Sequence, residues 1–293
     1  MRNNHLKHLF WLALATLFIS TSGSLGKYIY MPTPIIIWWR SALAALFLLA
    51  YCLFKKADFK LNSKKDRLPF LLSALFMGAH WLTYFHALKL SNVAIGMLSL
   101  FTFPIITTLL EPFFDKVKFD PVNLILALSV LAGIYILAPA VDFENTYFQG
   151  LLWGLISALC YALRNLILKQ HVSKYNGTVL MVYQVSILAI VMLPVLLFMD
   201  GSTIKTQFPY VILLALLTTA IGHSLFVNSL KYFKVSTASI IGSAQPVFGI
   251  ALAYVFLNEI PTWHTFWGGL LILIPVVIES IRSKNPTDNK DSY

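Results

Sequence analysis

Charge is what this sequence is short of: Asp, Glu, Lys and Arg make up 12% of 293 residues, and only 12 of them are acidic. Soluble domains carry roughly 25% charged residues, so this chain has too few to cover a water-facing surface. Cysteine is scarcer still, at two residues. Cys52 and Cys160 both fall in apolar runs without metal-ligand spacing, which excludes a disulfide framework and a Cys-based zinc site. The sequence has no Walker-type phosphate loop, no metal-ligand cluster and no Ser/His/Asp grouping on one loop. Its polar connections are too short for a soluble catalytic or nucleotide-binding domain. No cofactor is expected, and ATP-driven pumping by this chain alone is excluded.

Apolar residues are what the chain has instead, at 58% with a mean hydropathy of +0.75. A membrane-crossing helix needs about 20 of them in a row. Such runs fall near 8–26, 34–54, 68–88, 92–114, 121–140, 150–168, 177–199, 209–230, 235–257 and 263–281. Transmembrane strands would read as alternating segments of about ten residues. The expected fold class is thus an all-α integral membrane protein of ten transmembrane helices. The first run could alternatively be the core of a cleaved signal peptide.

Basic residues choose the orientation. With both termini inside, 17 Lys and Arg lie on cytoplasmic connections against three outside, Lys27, Lys89 and Lys205. Cytoplasmic loops retain Lys and Arg, so the termini are expected in the cytoplasm. The same distribution explains the net charge of +10 without a nucleic-acid partner. The partner it implies is the lipid bilayer.

Shifting the chain by 142 residues places Trp11 on Trp153, Lys27 on Lys169, Lys89 on Lys231 and Pro104 on Pro246. Constant offsets of this kind mark internal repeats, and the match over Trp153–Lys169 favours an uncleaved first span. Each unit holds five spans, an odd number, so the two start on opposite sides. The expected organisation is 1–140 and 150–282 as two inverted five-helix repeats, with a disordered cytoplasmic tail at 283–293. Inverted repeats characterise secondary transporters, with substrate bound near the midplane.

Several stretches resemble the ten-helix EamA-type members of the drug/metabolite transporter superfamily. They are Lys231-Tyr-Phe-Lys-Val-Ser-Thr-Ala238, Leu257-Asn-Glu-Ile-Pro-Thr262, Trp267-Gly-Gly-Leu-Leu-Ile-Leu273 and Trp39-Arg40-Ser-Ala-Leu-Ala-Ala45. The first half departs from the pattern at Val117, which stands opposite Glu259. The resemblance implies a path lined by helices 1, 3, 4, 6, 8 and 9, with 5 and 10 peripheral. It also implies export of a small metabolite across a bacterial inner membrane.

Arg40 interrupts the second span. Beside Trp38 and Trp39 it is expected to snorkel to the outer headgroups and to position its helix, with pairing to a neighbouring helix terminus or direct substrate contact as the alternatives. Arg164 is expected to snorkel at the inner boundary, with a coupling or binding role beside Tyr161 and Asn165 left open. Glu111 either ends the fourth span or relays protons. His80 lies deep in the third span with Tyr84 one turn on, and His223 is comparably deep in the eighth. Ser239, Ser243 and Gln245, and Ser20 with Ser22 and Ser24, line a cavity or pack helices tightly. Pro104 and Pro246 are candidate kink and gating points.

The expected function is secondary active transport of a small metabolite by alternating access, with protons as a candidate coupling ion. Mixed aromatic, hydroxyl and imidazole groups suit amino acids. The alternatives are a sugar- or organophosphate antiporter, an intramembrane enzyme acting on lipid intermediates, and a passive channel.

Overall fold

The computed structural model describes residues 2–61, 63–114, 120–138, 142–172, 174–229, 232 and 241–282. Ser239 and the segment 283–293 lie outside the described residues. The described elements are helices: α1 (Arg2–Tyr28), α2 (Thr33–Phe54), α3 (Arg67–Leu90), α4 (Val93–Leu100), α5 (Phe103–Phe114), α6 (Pro121–Leu137), α7 (Thr146–Lys169) and α8 (Gly177–Val191). They continue as α9 (Val195–Phe198), α10 (Ile204–Leu213), a π-helical segment (Leu214–His223), α11 (Ser224–Ser229), α12 (Gln245–Leu257) and α13 (Trp263–Arg282).

In lipid every backbone polar group must find a partner within the protein, and helix starts leave N–H groups unpaired. The sequence supplies short polar caps at these points. Asn92, Asp120, Asn145 and Asn176 each accept from a backbone N–H in the first turn of α4, α6, α7 and α8. At the other end of α12, Asn258 takes the left-handed conformation at φ 55°, a stop that Asn tolerates.

Seven helical stretches among the described residues are long and apolar enough to cross a membrane, and three shorter apolar helices accompany them. The structure departs from the sequence reading in detail. The run expected at 209–230 begins at Ile204 and carries ten residues of π-helix. The runs expected at 92–114 and 235–257 are each interrupted, at Phe101–Thr102 and at Ser243–Ala244. Pro104 and Pro246 therefore sit in the first turn of α5 and of α12, where a missing N–H costs little. They are not kinks within continuous helices, as the sequence suggested.

Helix packing follows an exchange pattern. An offset of 142 residues maps α1 to α7, α2 to α8–α9, α3 to α10–α11, α5 to α12 and α6 to α13. Under it the α3–α7 contact becomes that of α1 with the π-segment, and α5–α7 becomes α1–α12. The α3–α8 contact becomes that of α2 with the π-segment, while α2–α8 and α6–α13 map onto themselves. Two residue pairs 142 apart meet directly. The Trp81 and His223 rings lie 5.9 Å apart, and Ser129 Oγ donates to Leu271 O at 3.4 Å.

Small residues allow the closest approaches. A Cβ on Gly154 of α7 would lie 1.8 Å from Ser99 Oγ and 2.7 Å from Ser99 Cβ on α4. Ser99 is fully buried and cannot swing away. Gly154→Ala is expected to destabilise the protein by about 1–3 kcal/mol, the usual range for overpacking. The loss should appear as a lower melting temperature of the purified protein. Adding Ser99→Gly should recover part of it, the non-additivity expected of residues in contact.

Candidate functional site

The bundle encloses a cavity lined by Ser22 of α1, His80, Trp81 and Tyr84 of α3, Phe101 and Phe103 at the α4–α5 break, Tyr161 of α7, His223, and Gln245 of α12. The single contribution of α2 is Arg40. No residue of α6 or α13 lines it, matching the peripheral place that the resemblance gave helices 5 and 10. The space open to the centres of water molecules is about 30 Å³, room for roughly two waters. A metabolite can enter only as the surrounding helices part.

Arg40 corrects the sequence reading most. It is 1% exposed and does not snorkel. Its Nε donates to Thr219 Oγ1 at 2.7 Å and Nη2 donates to Thr218 Oγ1 at 3.2 Å, both in the π-segment. The guanidinium carbon lies 3.8 Å from the Trp81 ring centroid, a desolvated cation–π contact. These groups satisfy donors without neutralising the charge. Among the described residues no carboxylate forms an ion pair with Arg40, and no acidic residue lines the cavity.

Arg164 is also 1% exposed, so its expected snorkelling is likewise corrected. It turns to α8, where Nη2 donates to Gln184 Oε1 at 2.8 Å. Nη1 donates to Asn165 Oδ1 at 3.0 Å. Neither Arg164 nor Asn165 lines the cavity.

The histidines differ in their partners. Ser157 Oγ donates to His80 O at 3.0 Å, and the same oxygen lies 2.7 Å from His80 Nδ1. With the hydroxyl proton committed to the carbonyl, Nδ1–H donates to Ser157, leaving Nε2 as the ring's acceptor. The His80 ring lies tilted against Tyr161, their centroids 4.6 Å apart, and Tyr161 meets Phe103 edge-on at 4.7 Å. His223 is 3% exposed, and its Nδ1 has no hydrogen-bond partner among the described residues.

The other sequence candidates serve elsewhere. Ser20 Oγ donates to Leu17 O within its own helix, and Ser24 Oγ donates to Gly249 O of α12 at 3.5 Å. Neither lines the cavity; Ser22, between them, does. Ser243 is buried at the helix break. Glu111 is ion-paired with Lys169, away from the cavity lining. Sequence reasoning passed over Trp81, Phe101, Phe103 and the Thr218–Thr219 pair. For Trp81 a signal existed, since it stands opposite His223 at the repeat offset.

Both ends of the bundle are tied. At one, Lys27 Nζ donates to Leu88 O at 2.7 Å and to Ser91 O at 2.5 Å, and Lys89 Nζ donates to Met31 O. There Glu259 Oε2 also accepts from Val93 N at 2.8 Å. At the other, the Lys169–Glu111 pair joins α7 to α5, and Tyr175 donates to Asp66 at 2.5 Å.

Long apolar helices tied at both ends enclose a small cavity, mostly apolar with a few polar groups. The chain belongs to the EamA-like transporter family, which matches residues 6–138 and again 148–280. An uncharacterized transporter YxxF of Bacillus subtilis is 22% identical over 92% of this chain and 88% of its own length. An S-adenosylmethionine uptake transporter of Rickettsia conorii is 32% identical over 50% of each chain. A solved crystal structure 18% identical in sequence aligns over 95% of this chain and 98% of its own, with a TM-score of 0.69. At that identity it speaks for the fold.

Thr218→Val or Thr219→Val removes an acceptor from a buried guanidinium. Each is expected to destabilise by about 1.5–3 kcal/mol, the range for hydrogen bonds to charged groups. Thr83→Val is the control, since Thr83 bonds only carbonyls of its own helix. Thermal melting of the three variants checks the contrast.

Proposed function

We propose that this chain is a secondary active transporter of a bacterial inner membrane, carrying amino acids or related small metabolites outward by alternating access. It would do so as ten spans in two inverted five-helix units, with both termini cytoplasmic. The observation that carries the reading is a buried cavity at the crossing of α1, α3, α5, α7, the π-segment and α12, largely aromatic and aliphatic with Arg40, His80, His223 and Gln245 among its lining, and too small as it stands for its cargo. Supporting the paired units, the two family matches start at residues 6 and 148, the separation at which the sequence aligns with itself. Rocking of one unit against the other would open each tied end in turn.

An amino acid suits the cavity's polarity. Its carboxylate would meet a cation, and its ammonium would meet the His80 acceptor nitrogen and aromatic faces. S-adenosylmethionine, the cargo named for the Rickettsia relatives, is itself an amino-acid derivative. Their description as uptake transporters favours a second reading, inward movement of the same class of cargo. For proton coupling, the imidazoles lining the cavity are His80 and His223, Glu111 being held by Lys169.

Two measurements test the reading. Counterflow in proteoliposomes should show saturable exchange of at least one amino acid, whereas a channel would show no saturation and an enzyme would release an altered product. In a cysteine-free background, single cysteines at Lys60 and Phe143 should label from opposite sides of the membrane. Labelling from one side would remove the inverted repeat.

A further inference from the structure

We propose that Arg40, with the N-terminal ends of α5 and α12, forms the seat of a carboxylate on the transported molecule. The inference rests on the transporter reading and adds the residues that select the cargo's charged end.

The first support is an imbalance of charge. A buried cation in a membrane protein is costly unless an opposite charge or a set of dipoles answers it. Arg40 has hydroxyl and aromatic partners, no carboxylate partner among the described residues, and no hydrogen bond through Nη1. Arg164, equally buried, spends its Nη groups on Gln184 and Asn165 away from the cavity. Only Arg40 presents its charge to the lining.

The second support is the pair of helix breaks. Phe103 opens α5 and Gln245 opens α12, and both residues line the cavity. The helices run for 12 and 13 residues, so each brings the positive end of a helix dipole to the same space. In those first turns Pro104 and Pro246 have no N–H, and the N–H groups of Ile106 and Phe248 are paired with Thr102 O and Ala244 O. The interruptions at Phe101–Thr102 and Ser243–Ala244 place both ends within the apolar runs 92–114 and 235–257.

The third support is the buried His223, whose Nδ1 has no described partner although it lines the same space. A ligand oxygen would satisfy it.

The group favoured is a carboxylate. A planar guanidinium matches a planar carboxylate with two parallel bonds. Trp81 beneath the guanidinium fixes the plane, and Thr218 and Thr219 hold the Nε side, so the free Nη1 edge faces the cargo. A phosphate ester, closer to two charges, would call for a second cation in a lining that provides one arginine.

The test is counterflow in proteoliposomes with L-phenylalanine and L-methionine, their methyl esters, the parent amines without carboxylate, and glycerol phosphate. Wild-type protein should exchange at least one acid, with its ester weaker by on the order of 10- to 100-fold in apparent affinity, the value of one or two charge-assisted bonds. Arg40→Gln should bring the acid down to the ester's level and leave the ester unchanged, while Arg40→Lys should restore part of the difference. Should Arg40→Gln fail to fold, the wild-type ratio of acid to ester decides alone. Esters or amines exchanging as well as the acids, or glycerol phosphate exchanging where no acid does, would overturn the carboxylate seat and leave the transporter reading standing. Absence of exchange with every compound would bring down both.

Discussion

A guanidinium cannot lie bare in hydrocarbon, and much of the architecture follows from where this chain puts one. Arg40 is drawn into the bundle, and it takes α2 with it. Its hydrogen bonds reach the π-segment and its face rests on Trp81 of α3. Three helices distant in sequence are thereby fixed around one charge. The π-segment is the matching irregularity: ten residues of wide helix place Thr218, Thr219 and His223 toward the same centre. Wide turns of this kind recur at functional sites.

The charge at the centre is balanced by polar closure at the ends. Lysine at the end of α1 caps the carbonyls that finish α3, a placement favoured by the negative end of a helix. At the opposite end, Lys169, its partner at the repeat offset, finds a side-chain carboxylate in Glu111. One closure is built on backbone carbonyls and Glu259, the other on ion pairs and Asp66. They are chemically different. Between them lies the aromatic cluster of His80, Tyr161 and Phe103.

Much of the fold was legible in the sequence because lipid imposes a strict rule. Apolar runs of the right length must be helices, and their starts are marked by Asn92, Asp120, Asn145 and Asn176. The offset of 142 residues was readable from Trp, Lys and Pro landmarks, and the same offset separates Trp81 from His223 where they touch. The site was legible only in part. His80, Tyr84, Tyr161, His223 and Gln245 come together as depth along their helices suggested. Ser20, Ser24, Asn165 and Glu111 do not, because one position along a helix turns a side chain by about 100°, and depth alone does not specify the face.

By itself, then, the amino-acid order determined the number and rough extent of apolar segments, the doubled pattern within them and the scarcity of charge that ties the chain to a membrane. Tertiary structure decided which buried charge is answered and which is offered. Near the ends of their helices Arg40 and Arg164 read alike in sequence, as residues able to snorkel. Only the neighbouring helices, α8 with a glutamine for Arg164 and the π-segment with two hydroxyls for Arg40, place one arginine outside the cavity, its Nε still unpaired, and the other in its lining. The reason is physical: the energy of a charge in a low-dielectric interior is set by partners a few ångströms away, and those partners lie more than a hundred residues distant along the chain for Arg40.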